Sequence, residues 1–317
     1  PENRKSYSRV DMLVVNKGTN PIDTLYLAHS APMEHASLDL IEWNEQPLES
    51  SYEDKEQDFY KYGLAESLQP GDTASLAYGV TVQYKGFTNS GFNREIVNNG
   101  TFFSLSIFPG FGYNAGKELS SDKDRKEYEL PERDYNLPEQ DDDHGLSNLL
   151  FNDDADYVTF QATISTSADQ IAIAPGKLTR EWEEDGRKYY SYEIKGEMDL
   201  FFNISSARYA VTEDSWRNPD GTEGNIQLFH HASHTRNLDR FSNSVRHSME
   251  YYNKNFSPYQ YNQMRILEFP RYATFAQSFP NTVPYSEAFG WVGNFSNPDD
   301  IDYAYYVTAH EVAHQWW

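Results

Sequence analysis

The 317-residue sequence contains no cysteine. It therefore has no disulfide framework, no thiolate nucleophile and no Cys-ligated metal, and both reducing and oxidising compartments stay open to it. No stretch approaches the roughly 18 apolar residues that would cross a bilayer as a helix. Basic residues are scarce: 26 Lys and Arg stand against 49 Asp and Glu, a formal charge of −23. A field of that sign repels phosphate backbones and anionic headgroups, which argues against nucleic acid and against docking on lipid surfaces. It suits solubility, and it also attracts basic peptides and divalent cations. The chain starts at Pro1 without a signal-peptide pattern, and it stops three residues after the motif described below. The expectation is a piece of a larger protein whose flanks would carry any targeting or membrane segment.

What is present is globular. Hydrophobic residues make up 38% of the chain, and 24 Tyr and 19 Phe offer enough area to fill a core. The first two hundred residues read mostly as strands. SRVDMLVVN from Ser8, DTLYLAHS from Asp23 and FFSLSIFP from Phe102 are β-rich, and YVTFQATIST from Tyr157 alternates over ten residues. Pro70-Gly71-Asp72 marks a turn feeding a strand that runs to about Tyr84, and Asp185-Gly186 marks the tip of a hairpin. MDLFFNISSARYAV from Met198 closes the run. Strands this frequent predict an antiparallel sandwich or saddle over residues 1–212. Residues 53–68 read as a loop or short helix. The acidic stretch of about 118–156, with Asp141-Asp142-Asp143, reads as a surface excursion that lacks the Gly and the alternation of a calcium loop.

The pattern changes near residue 213. NPDGTEGN (Asn218 to Asn225) reads as a linker, and Leu238, Phe241, Val245, Met249 and Tyr252 then recur at helical spacing. QMRILEFP from Gln263 reads as a strand. NPDDIDYAYYVTAHEVAHQWW reads as a terminal helix with Asp299 and Asp300 placed to cap it. Residues 213–317 are therefore the start of an α+β domain.

That last helix carries His310, Glu311 and His314 as H-E-x-x-H. Residues i and i+4 share a helix face, so both imidazoles can hold one zinc ion while Glu311 reaches a water on it. A random chain of this length shows the pattern roughly once in a hundred. HHASH (His230, His231, His234) is a second metal-binding candidate, read as an ordinary mixture of surface and core because adjacent residues of a strand face opposite ways.

HEVAHQWW resembles the zinc helix of the aminopeptidase N family, the gluzincin metallopeptidases in which a β-saddle precedes a thermolysin-like catalytic domain. QMRILEFPRY and VPYSEAFGWV (Val283 to Val292) are similar to the strand pair that precedes that helix. The resemblance implies one zinc, peptide substrates and Glu311 as catalytic base. It also implies Glu287 as the carboxylate that binds a free amino terminus, with Tyr285, Ser286 and Ala288 beside it. Of the family's G-A-M-E-N pattern only the glutamate is retained; Pro284, Tyr285, Ser286 and Ala288 replace the rest. The resemblance places the third zinc ligand, a glutamate, and an oxyanion-stabilising tyrosine beyond Trp317, so a chain ending there is expected to be inactive. FPGFGYNAGKEL, DQIAIAPGKL and SARYAV further resemble a bacterial branch in which such a peptidase follows an ABC-transporter-type permease. That implies a membrane-embedded parent protein with this portion in the cell envelope, outside the cytoplasm. Two other functions remain open: a non-catalytic binding or assembly domain of a transporter complex, and a zinc endopeptidase.

Overall fold

Strict alternation in Lys5–Val15 puts every second residue on an exposed face, as a half-buried strand requires. In the computed structural model of the chain, residues 4–29, 35–85, 95–97, 100–112, 118–133, 139, 141, 142, 157–271 and 273–317 are described. They fall into two packing units.

One unit comprises Asn3–Phe87 and Ser106–Asp156. Lys5–Val15 pairs antiparallel with Thr73–Gln83 along its whole length, and Thr73–Gln83 pairs on its other side with Ala36–Trp43. As a central strand, Thr73–Gln83 buries Leu76, Tyr78, Val80 and Val82. A second sheet joins Pro109–Phe111, Ile22–His29, Phe59–Leu68 and Tyr52–Asp54 in that order. Residues 53–68 are thus mainly strand, not a loop or helix. Tyr60 and Tyr62 point inward while the charged residues between and after them face out. Phe102 to Pro109 is also not one strand: Gly100–Ser104 ends in a single 3-10 turn, Leu105–Ile107, before Pro109–Phe111 begins. In the acidic stretch, Ser121 caps a short helix, Asp122–Glu127. Asp141 and Asp142 are exposed, and Asp143 lies outside the described residues.

The other unit comprises Pro1–Glu2, Thr88–Leu105 and Tyr157–Trp317. Its hairpin Lys177–Glu184/Arg187–Glu193 turns at Asp185 and Gly186, with φ of 49° and 72°. Two successive positive φ values define the tight turn that matches strand twist, and Asp-Gly supplies them at low cost. A four-stranded sheet follows in the order Ala210–Arg217, Glu223–His230, Gln263–Phe269, Thr282–Ser286. The first pair is antiparallel and the other two are parallel. Residues 218–222, expected as part of a linker, are the loop of the hairpin that makes this first pair, and the strand Ala210–Arg217 runs through residues 212 and 213.

Gln263–Phe269 is covered on both sides and buried almost throughout, with Arg265 and Glu268 buried among its apolar residues. Met264 and Ile266 face the long helix Leu238–Asn255, and Leu267 packs with Phe229 and Ile173. From the helix, Phe241, Val245 and Met249 are fully buried, at about 1.5–3 kcal/mol each. Taken together, the described residues form a mostly β fold of several sheets.

Candidate active site

The terminal helix spans Tyr303–Ala313. Asp302, not Asp299 or Asp300, is its cap: the Asp302 side chain accepts from the Tyr305 N–H at 3.1 Å and also pairs with Arg240. Asp299 instead donates its N–H to Asn297 Oδ1 in the preceding turn. Ala304, Thr308, Glu311 and Val312 turn inward, whereas His310 and His314 stay exposed on one face.

The two Nε2 atoms lie 3.2 Å apart. Two nitrogens at about 2.0–2.1 Å from a tetrahedral zinc stand about 3.4 Å apart, so the pair fits such an ion with little adjustment. Glu311 is 5% exposed. Burial pushes its carboxyl above the usual range, while His310 and the backbone N–H of Ser278 pull it back. A carboxylate so placed is a better base than a solvated one.

Tyr285 lies on the last strand, with its ring fully buried against Phe241 and Phe289. Its hydroxyl donates to the Tyr303 carbonyl at 2.7 Å, tying the strand to the first turn of the histidine helix. The strand ends at Ser286, whose Oγ accepts from the Ala288 N–H at 3.2 Å and starts a wide helical turn, Glu287–Trp291. Asn237, 2% exposed, fixes the far end of that turn by donating to the carbonyls of Gly290, Trp291 and Gly293.

Glu287 is half-buried, and its Oε1 accepts from the Arg271 N–H at 2.9 Å. It groups with Glu268 and His234, their ligand atoms all within 4.8 Å of one another. Glu268 is 5% exposed; Oε2 accepts from the His231 N–H at 2.7 Å and Oε1 faces His234 Nδ1 at 2.5 Å. Of the HHASH histidines, His230 is buried between Thr212 and the His231 carbonyl, and His231 is exposed. Only His234 joins a carboxylate group. The structure thus assembles the His310–His314 pair, with Glu311 adjacent, and separately assembles Glu287 with Glu268 and His234. No hydrogen bond or ion pair among the described residues joins Glu287 to His310 or His314.

Gln315 was not legible as a site residue. It follows His314 directly, donates to Ser278 Oγ and to the Phe279 carbonyl, and accepts from the Asn281 N–H and the Tyr259 hydroxyl. This amide fixes the end of the histidine helix against residues 278–281. The same loop continues onto the outer edge of the last strand, where residues 275–279 pair with it.

No protein-family profile matches the sequence, and no curated protein sequence matches it. Solved structures do. The M1 zinc metallopeptidase from Deinococcus radiodurans is 14% identical with a TM-score of 0.60. A variant of a two-domain M1 zinc metallopeptidase bound to L-arginine is 13% identical with a TM-score of 0.61. A variant of the Deinococcus radiodurans enzyme bound to a Tyr-Ser-Ala substrate is 14% identical, again with a TM-score of 0.61. Each match covers 100% of this chain and 61% of the other, so the chain spans about three-fifths of those proteins. At this identity the likeness is one of fold.

Proposed function

We propose that this chain is the front part of a zinc-dependent aminopeptidase, with a β-saddle domain over 1–212 and the first part of an α+β, thermolysin-like catalytic domain over 213–317. The observation that carries the reading is the pair of Nε2 atoms at 3.2 Å beside a buried glutamate. His310 and His314 hold the ion. Zinc, when bound, supplies a Lewis acid and an acidified water. Glu311 takes a proton at its carboxylate, and burial keeps that carboxylate basic enough to do so. Glu287, at the head of its helical turn, binds the free amino terminus of a peptide, with Tyr285, Ser286 and Ala288 setting the backbone around it. The solved structure with Tyr-Ser-Ala and the one with L-arginine support peptides and amino-acid ends as the substrate class.

The reading is tested in the full-length protein by aminoacyl-anilide hydrolysis. Glu311→Gln is expected to lower kcat by about 10²–10⁴ with zinc retained. Unchanged turnover in the variant would remove Glu311 from the reaction and the proposal with it, whereas no turnover in the full-length parent would leave the binding-domain reading in its place. Glu287→Ala should raise KM for free-amine substrates, while N-acetylated peptides should stay uncut. Cleavage of the acetylated peptides would instead make the enzyme an endopeptidase.

The fuller form of the proposal keeps the relation to peptidases that follow ABC-transporter-type permeases, and hence a place in the cell envelope. Among the described residues no helix is long and apolar enough to cross a membrane.

A further inference from the structure

Beyond the His310–His314 pair, three groups from three separate elements converge elsewhere. His234 lies just after the strand Glu223–His230, Glu268 lies near the end of Gln263–Phe269, and Glu287 opens the turn after Thr282–Ser286. Their ligand atoms lie within 4.8 Å of one another. Adjacent parallel strands end side by side, which is why residues 231–234, 268 and 287 meet.

Each carboxylate has one oxygen held by a backbone N–H: Glu268 Oε2 by His231 at 2.7 Å and Glu287 Oε1 by Arg271 at 2.9 Å. The remaining oxygens are thereby oriented, as supporting hydrogen bonds orient the ligands of a metal. Two carboxylates this close repel. Burial, and to a lesser extent the Glu287 charge, push the Glu268 carboxyl up, and the His231 N–H and His234 only partly offset them. A cation between the two would relieve that repulsion. An imidazole in the same group favours a borderline transition ion over calcium or magnesium, which prefer all-oxygen sites.

We propose that His234, Glu268 and Glu287 form a second divalent-cation site, distinct from the H-E-x-x-H pair, that takes Zn²⁺, Mn²⁺ or Co²⁺. His234 coordinates through Nδ1, the atom that faces Glu268, and the proton shared between them leaves to solvent on binding. Glu287 is also the proposed amine anchor, so ion and substrate amine exclude each other there.

The test uses the full chain with His310→Ala and His314→Ala together, which removes the zinc pair and makes the result independent of peptidase activity. Co²⁺ is titrated and followed by visible absorption and by calorimetry. One equivalent is expected to bind with proton release. His234→Ala added to that background should abolish the absorption band, and Glu287→Gln, at a half-exposed position that need not disturb folding, should weaken binding about 10–100-fold. No bound equivalent in the double variant would overturn the site. So would binding that survives His234→Ala unchanged in a protein whose circular dichroism matches the parent.

Discussion

The N–H of Gln277 donates to the carbonyl of Pro284 at 3.2 Å, so the outer edge of the strand Thr282–Ser286 is paired by the chain's own preceding segment. Ser286 N–H donates to the Phe275 carbonyl at 3.0 Å, and Phe279 and Thr282 exchange two bonds at the turn. An unpaired sheet edge is a template for any extended peptide. Here the template is filled, and Pro284, which has no N–H, joins that pairing through its carbonyl alone. The expected outcome is slow exchange of the Ser286 amide. Gln277→Pro deletes one bond worth about 1 kcal/mol and should speed that exchange about fivefold. Hydrogen-exchange mass spectrometry of the two proteins decides it.

The chain ending at Trp317 offers the His310–His314 pair for zinc. It should bind zinc weakly and show no metal-dependent cleavage of aminoacyl-anilides, because a catalytic zinc of this type uses three protein ligands. His310→Ala, in a His234→Ala background that removes the second proposed site, should abolish the residual zinc binding. Measurable, chelator-sensitive turnover by residues 1–317 would refute the assignment of two ligands.

Arg265 is 2% exposed on the strand Gln263–Phe269. Its guanidinium donates to the carbonyls of Ala174 and Gly176 and to Gln227 Oε1, and it lies over the Tyr192 ring at 5.3 Å. Arg265→Ala leaves buried carbonyls without donors and opens a cavity, for an expected loss of about 2–5 kcal/mol. Urea unfolding reads this directly, and a change below half a kcal/mol would show that water replaces the guanidinium.

Gly290 has no room for a side chain: an added Cβ would lie 2.2 Å from Tyr285 Cε1. That ring cannot retreat, because it is buried and its hydroxyl is held by Tyr303. Gly290→Ala should cost about 1–3 kcal/mol. It should also lower zinc affinity, since the displaced ring bears on the histidine helix. Zinc binding equal to the parent's would separate the two.

Burial raises the Tyr62 and Tyr261 phenols to about 12 and lifts Tyr259 and Tyr285 as well. Each folded-state value exceeds the unfolded value of about 10, so the neutral phenol is what the fold prefers. The stabilisation from these groups is complete below pH 10 and is lost as pH rises from about 10 towards 12. The melting temperature should fall steeply over that window, together with tyrosinate absorption near unfolding. A flat profile to pH 12 would contradict the burial.

How much was legible depended on range. Asp185-Gly186, the helix from Leu238 and the His310/His314 spacing are local patterns, and each is found where the sequence placed it. Residues 59–68 were missed because Lys61 and Glu66 break the apolar rhythm of a strand that buries only its tyrosines deeply. Asp302 lost to Asp299 and Asp300 on paper because three carboxylates precede the helix and only geometry picks the one that reaches Tyr305. The grouping of His234, Glu268 and Glu287 was out of reach. It depends on the parallel register of three strands, such as Glu268 opposite Tyr285, and nothing local encodes that.

Gln315 holds residues 278–281 by three hydrogen bonds, accepts a fourth from the Tyr259 hydroxyl, and is the neighbour of His314. The imidazole and the filled strand edge are therefore joined through one side chain, like two pans hung from a single beam. Whatever lifts the 275–279 segment off the strand also unloads the residue beside His314. On the proposed function, an extended peptide arriving at that edge would disturb His314 before any bond in the peptide was touched.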